Sequence, residues 1–99
     1  MSMFNRKKNG GNFDQTTIQH VWQKGIHIPG YSPSEYRKDM CGFAMKFADY
    51  GNTGSQYGWE VDHMIPVNKN GSDHLDNLQP LQWQHNRRKA DTHPWTCEA

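Results

Sequence analysis

Long apolar runs are missing from this sequence. No stretch approaches the ~18 consecutive apolar residues of a membrane-spanning helix, and only 33% of the 99 residues are hydrophobic. This composition predicts a single small domain with a modest core. The first eleven residues also lack the apolar segment of a secretory signal. We therefore expect an intracellular, cytoplasmic protein that makes no membrane contact.

Cysteine is scarce, since the chain has two, Cys41 and Cys97. Neither belongs to a C-x-x-C pair, which excludes a four-cysteine zinc site within one chain. Cys97 lies close to the end of the sequence, where chains are often frayed. We therefore expect no disulfide between the two.

Excess charge of either sign is also absent, because the formal net charge is +1. The basic residues nevertheless fall in two clusters, Arg6 to Lys8 near the start and Arg87, Arg88 and Lys89 near the end. Such clusters on a near-neutral chain fit local contacts with a phosphate backbone. The simpler interpretation is two solvated runs of charge.

The start of the chain predicts an arm followed by one domain. Residues 1–12 are rich in Asn, Gly and Lys, so we expect a flexible basic arm, with a single domain over 13–99. Asp14 is a typical N-cap for a helix over 15–24. Residues 40–50 show the alternation of a strand but also helical spacing, and we favour the strand.

The second half of the chain predicts a hairpin and a helix. The run WEVDHMIPV, residues 59–67, reads as a strand, NKNGSD as a turn, and 78–81 as a second short strand. Residues 83–91 contain no helix breaker and predict a helix. The fold class is therefore α+β, with an antiparallel hairpin plus helix, an additional N-terminal helix and loops.

Three blocks between residues 58 and 91 resemble the His-Asn-His (HNH) endonuclease family. The sequence has an Asp-His pair followed by Ile-Pro, then Asn-Leu-x-x-Leu, then a His-Asn pair with a lysine three residues after the Asn. The blocks occur in the family's order, and the third signature position is asparagine, as in the H-N-N variant. The resemblance implies a ββα-metal core and a metal-dependent DNA endonuclease.

The resemblance assigns roles to four residues. Asp62 and Asn86 are the expected metal ligands, since carboxylate and amide oxygens suit Mg²⁺ or Mn²⁺. His63 is the expected general base, because an imidazole can accept a proton near neutral pH. Asn77 is expected to hold the histidine in orientation. Adjacent side chains of a strand point to opposite faces, so Asp62 and His63 can converge only if the strand bends or ends there.

His85 is an alternative metal ligand to Asn86, and its use would make Zn²⁺ or Ni²⁺ more plausible. Many family members also carry two C-x-x-C pairs that bind a structural zinc. Here the matching positions hold Lys38, Cys41, Gln82 and His85, so we expect no structural zinc. Aromatic packing is expected in its place, with four candidates: Phe43, Phe47, Trp59 and Trp83.

The expected partner is DNA, contacted along its backbone by Arg87, Arg88 and Lys89 with little sequence specificity. A homodimer could cut both strands. A second hypothesis is a non-catalytic DNA-binding module with the same fold. A third is a zinc-stabilised interaction domain that uses Asp62, His63 and His85.

Overall fold

The computed structural model describes residues 4–97. It contains seven regular elements, in chain order α1 (Gln15–Trp22), β1 (Ile26–His27), β2 (Tyr36–Lys38), β3 (Ala44–Lys46), β4 (Trp59–His63), β5 (Leu78–Gln82) and α2 (Trp83–Lys89). The strands form two antiparallel sheets, β1-β2-β3 and β4-β5. Within residues 4–97, no helix has the length and apolarity needed to span a membrane.

Helix α1 begins where its capping residue predicts. The Asp14 carboxylate accepts a hydrogen bond from the Thr17 N–H at 2.8 Å, which satisfies a backbone donor that the first turn leaves without a partner. Ile18, Val21 and Trp22 are buried on one face. The N-terminal helix is confirmed, although it ends at Trp22 and not at residue 24.

Strand β4 is buried on both faces, with apolar side chains on one face and carboxylates on the other. Trp59 and Val61 point into the apolar core, where they are 0% and 1% exposed. Glu60 and Asp62 point to the opposite side and are nevertheless buried, at 4% and 5%. Buried carboxylates require partners, so this second face carries a layer of polar contacts.

The hairpin and the helix that follows it confirm the α+β fold of the ββα type. Asp62 pairs with Gln79 and His63 with Leu78, so the end of β4 lies beside the beginning of β5. Pro80 sits inside β5, which is tolerated because this sheet has two strands and one side of each is free of ladder bonds. Helix α2 starts directly after β5 and packs against both strands.

Two expectations from the sequence are wrong, and a third is confirmed only in part. Cys41 and Cys97 form a disulfide that joins the turn before β3 to the C-terminal segment. The strand expected over 40–50 is short, because Asp39 fixes a tight turn before it and a 3₁₀ turn follows at Phe47–Asp49. Phe43 is 48% exposed and does not join the core. Trp59 and Phe47 do pack there, as expected.

The expected N-terminal arm makes specific contacts with the domain from residue 4 onward. The Asn5 side-chain oxygen accepts hydrogen bonds from the Val61 N–H at 2.9 Å and the Tyr50 hydroxyl at 2.7 Å. The Lys8 N–H donates to the carboxylate of Asp73 at 3.0 Å. The flexibility of residues 1–12 stays a prediction, and residues 1–3 lie outside the described part of the chain.

Candidate functional site

A cavity of about 350 Å³ opens at the end of β4. It brings together three of the side chains predicted for the metal site and its base, Asp62, His63 and Asn86. Strand β4 ends at His63, and the chain turns before Pro66. This ending is what the sequence required for adjacent residues to face one cavity. The remaining lining residues come from the arm, the loop after β4 and the end of α2 (Phe4, Asn5, Val61, Pro66, Val67, Asn68, Ala90, Asp91).

The Asp62 carboxylate is held from two sides. Gln79 donates from its side-chain amide at 2.9 Å to one oxygen, and the Lys89 ammonium lies 3.3 Å from the other. Burial nevertheless raises the pKa of Asp62, although both partners act to lower it. The charged form is therefore incompletely compensated, and a cation in the cavity would favour it.

His63 is oriented by a residue that the sequence analysis did not select. Its Nε2 lies 2.7 Å from a carboxylate oxygen of Asp73. Burial alone would raise the pKa of Asp73, but hydrogen bonds from His63 and from the Lys8 N–H bring it below its ordinary value. An ionised carboxylate can only accept, so Nε2 carries the proton. The lone pair of the neutral ring then lies on Nδ1.

Asn77 stabilises the backbone of the loop after His63 and makes no hydrogen bond to the histidine ring. Its amide nitrogen donates to the carbonyls of Ile65 and Ser72, at 3.1 and 2.8 Å, and its oxygen accepts from the Ile65 N–H at 2.8 Å. The same loop needs glycine at Gly71, where a Cβ would lie 1.6 Å from the Ile65 carbonyl oxygen. Asn77 therefore holds the loop that follows His63, and its contacts are with that loop and not with the ring.

Asn86 presents only one kind of atom to a cation. Its amide nitrogen donates to the Glu60 carboxylate at 2.9 Å, and the residue is 2% exposed. Since Nδ2 is engaged, Oδ1 is the atom left as a ligand. Glu60 also forms a bidentate pair with the Arg87 guanidinium, at 2.6 and 3.1 Å, which fixes this carboxylate and, through it, the Asn86 amide.

The three cations predicted to contact DNA differ in their surroundings. Arg87 is committed to Glu60 and also lies over the ring of Phe4, 4.0 Å from its centroid. Lys89 is 2% exposed and donates to the His63 carbonyl at 2.9 Å. Of the three, Arg88 alone is exposed, whereas Arg87 and Lys89 pair with the buried carboxylates of Glu60 and Asp62.

His85 lies in a different environment from Asp62. Its Nδ1 is 2.7 Å from the buried carboxylate of Asp39, and its ring is 4.0 Å from that of Phe43. It is not among the residues that line the cavity. The expected alternative, in which His85 replaces Asn86 as ligand of the same ion, has no support in this arrangement. Nor does the zinc-bound interaction domain built on Asp62, His63 and His85.

The donor set of the cavity fits a hard divalent cation. The Asp62 carboxylate and the Asn86 carbonyl oxygen are both oxygen donors, which Mg²⁺ and Mn²⁺ prefer. Mg²⁺ keeps several waters and is usually held by few protein groups, and the cavity has room for waters and a phosphate. The raised pKa of Asp62 also fits a site whose carboxylate charge a cation would complete.

Asp73 and Glu60 are the residues that sequence reasoning missed. Asp73 follows the Asn-Gly turn in the segment interpreted only as a loop. Its position within the hairpin loop, close in sequence to both Asn77 and His63, was the available signal. Glu60 lies two residues before Asp62 and therefore on the same face of β4, but nothing in the sequence shows that its partners come from α2.

Fold and site together define a small α+β domain whose hairpin–helix core carries an Asp-His pair and an asparagine around one cavity. The family model described as HNH endonuclease matches residues 40–92, more than half of the chain. The chain belongs to the HNH endonuclease family. Comparisons with curated proteins and with solved structures gave no match.

Proposed function

We propose that this domain is a metal-dependent endonuclease that hydrolyses phosphodiester bonds of DNA. The observation that carries the proposal is the convergence of Asp62, His63 and Asn86 on one cavity. A pure binding domain has no need for a histidine paired with the Asp73 carboxylate beside two oxygen donors. Membership of the HNH endonuclease family supports the same reaction.

The residues have distinct tasks in this reaction. Asp62 and the Asn86 carbonyl oxygen would hold one divalent ion, Mg²⁺ or Mn²⁺, which supplies charge stabilisation at the phosphate and at the leaving 3′-oxygen. His63 accepts a proton from the attacking water at Nδ1, since Asp73 retains the proton on Nε2. Asp73 then stabilises the imidazolium, the role that a carboxylate has in an Asp-His-nucleophile triad. Asn77 keeps the loop that carries His63 in place.

The substrate contacts are proposed to be largely independent of sequence. Arg88 is exposed on α2 and would contact the phosphate backbone. The arm of residues 1–12 supplies further basic side chains, while 13–99 form the nuclease domain. One site of this type cuts one strand, so cleavage of both strands would require two copies, as in a homodimer.

The test is a nicking assay on supercoiled plasmid in Mg²⁺ or Mn²⁺, with EDTA as the arm that removes the metal. His63→Ala should reduce the rate by about 10²–10⁴-fold, the usual loss when a general base is removed. His20→Ala is the matched control, because His20 is an exposed residue of α1 and should leave the rate unchanged. Equal rates for His63→Ala and the parent would show that His63 is not the base.

The same assay addresses the second hypothesis. A non-catalytic module would bind DNA in a salt-sensitive manner but would leave the plasmid intact in every divalent metal. Parallel reactions with single-stranded DNA and RNA define the substrate class.

A further inference from the structure

A second cluster of potential metal ligands lies outside the cavity. One ligand atom each from Asp39, Cys41 and His85 lies within 4.8 Å of the other two. Cys97 is bonded to Cys41, so the sulfur of Cys97 also lies beside this cluster. The residues come from the turn before β3, the first turn of α2 and the C-terminal segment.

The chemistry of this set differs from that of the catalytic cavity. When the disulfide is reduced, the set offers two sulfurs, one ring nitrogen and one carboxylate oxygen. Thiolate and imidazole ligands select zinc over Mg²⁺. With Zn–S near 2.3 Å and Zn–N near 2.0 Å, neighbouring donors in a tetrahedral site are about 3.3–3.8 Å apart. The donor atoms already lie within 4.8 Å of one another. To hold an ion, the two bonded sulfurs would have to part, and His85 and Asp39, now 2.7 Å apart, would have to separate if both bound it.

The scaffold around the cluster is already ordered. Asp39 is 1% exposed and accepts hydrogen bonds from the N–H groups of Cys41 and Phe43 at 2.9 and 3.0 Å. His85 is 6% exposed and follows Gln82, whose side chain caps α2 by accepting from the His85 N–H at 3.2 Å. The backbone of Cys41 and the ring of His85 are therefore held by contacts that do not involve the sulfurs, and both cysteines are only half-buried.

We propose that Cys41, Cys97 and His85, with Asp39, bind one zinc ion when the disulfide is reduced. The two cysteines would then be linked either by the disulfide or by the metal. A dithiol reductant supplies two electrons and two protons, its own thiols become a disulfide, and Cys41 and Cys97 become thiols. Each thiol releases its proton when its sulfur binds the ion. Asp39 either ligates the ion directly or orients His85, as carboxylates do at many zinc sites.

The test uses the full chain, reduced with a phosphine under anaerobic conditions and titrated with Co²⁺. We expect one equivalent to bind with the intense visible bands of tetrahedral cobalt and a thiolate charge-transfer band, both abolished by Zn²⁺. The oxidised chain should show neither. Reduced protein that shows no charge-transfer band at stoichiometric Co²⁺ would overturn the proposal.

Variants locate the site. Cys97→Ser should lower zinc affinity in the reduced state by at least about 100-fold, since it removes a thiolate ligand, and His85→Gln should weaken it as well. Thr96→Ser, a conservative change at an exposed neighbour, should bind zinc as the parent does. Undiminished zinc affinity in Cys97→Ser would contradict the assignment.

Two readouts keep the test independent of folding and of nuclease activity. If Cys97→Ser does not fold, reduced parent with alkylated cysteines replaces it and should bind no Co²⁺ through sulfur. Asp62→Asn should leave the charge-transfer band intact, because Asp62 lies in the other site. Loss of the band in Asp62→Asn would mean that the cluster is not a separate metal site.

Discussion

The molecule contains two His–Asp pairs at the same separation, 2.7 Å, in opposite settings. His63 lines an open cavity, and the side chain of its partner Asp73 is 33% exposed. His85 and Asp39 are enclosed, and the Asp39 side chain is 0% exposed. The comparison shows that the pair itself does not define a function. Access to solvent and to neighbouring oxygen donors separates the pair suited to proton transfer from the one that supports the fold.

The largest expected effect on stability comes from breaking the enclosed pair. The Asp39 carboxylate also accepts from the Gln82 N–H at 3.0 Å, in addition to the two N–H groups of its own turn. Asp39→Ala leaves the buried Gln82 N–H and His85 ring and the two part-buried N–H groups of the turn without this partner, so the free energy of unfolding should fall by about 3–5 kcal/mol. Urea denaturation of the oxidised parent and of oxidised Asp39→Ala measures this difference in the free energy of unfolding.

Asp73→Ala is the matched control for that change. Asp73 is partly exposed, so its removal should cost less than about 1 kcal/mol of stability. If the two alanine variants unfolded at the same urea concentration, the distinction between a structural and a functional pair would be lost.

The disulfide beside the enclosed pair should have the next largest effect. It closes a loop with a sequence separation of 56 residues, and such a constraint contributes typically about 2–4 kcal/mol by reducing the entropy of the unfolded chain. Urea denaturation in EDTA, with and without reductant, should show a loss in this range. No change in midpoint on reduction would show that the bridge does not constrain the unfolded chain.

In the His63–Asp73 pair, Asp73→Asn should lower the rate of DNA cleavage more than it lowers the stability of the fold. An asparagine keeps the size of the side chain but removes the charge that stabilises the imidazolium. We expect kcat to fall by about 10–100-fold, as for other residues that orient a reactive histidine, with KM for DNA little changed. Asp76→Asn, at an exposed site in the same loop, is the control.

The outcome also has a structural readout. NMR of the His63 ring nitrogens should report a proton on Nε2 in the parent and a changed tautomer balance in Asp73→Asn. An unchanged ring signal together with an unchanged kcat would remove Asp73 from the proposed mechanism.

The difference between the pairs also explains what could be predicted from the sequence. Asp62, His63 and Asn86 lie in short blocks that resemble the HNH family, so the hairpin–helix fold and these three residues of the cavity were predictable from that resemblance. Asp39 and His85 are separated by 46 positions, and no local pattern connects them. Their contact depends on how the turn before β3 packs on α2.

The same limit applies to the disulfide and to the first sheet. Position near the end of the chain argued against a bridge at Cys97, but pairing depends on where the C-terminal segment lies in space. Strands β1 and β2 have two and three residues. These lengths are too short to show the alternation of apolar and polar residues by which a strand is predicted. From the sequence, the positive charges of Arg87 and Lys89 suggested contacts with DNA. Their actual partners, Glu60 and Asp62, can be identified only from the packing of α2 against β4.

A third carboxylate gives the smallest expected effect and completes the comparison. Asp14, like Asp39, accepts a backbone N–H, but it caps α1 at the surface, where water competes for the same interaction. Hydrogen bonds from the side chain and backbone of Thr17 lower the pKa of Asp14. A carboxylate with a lowered folded-state pKa stabilises the fold above its unfolded pKa, near 3.9, and this contribution disappears as pH falls through the folded value.

Asp14→Ala should therefore lower Tm by only a few degrees at pH 7, and the difference from the parent should shrink as the pH approaches 3. Asp14→Asn should retain most of the cap at both pH values, since an amide oxygen also accepts from the helix N-terminus. Thermal melts of the three proteins across this range make the measurement. A Tm difference between parent and Asp14→Ala that stays constant down to pH 3 would mean that the ionised carboxylate is not what stabilises the start of α1.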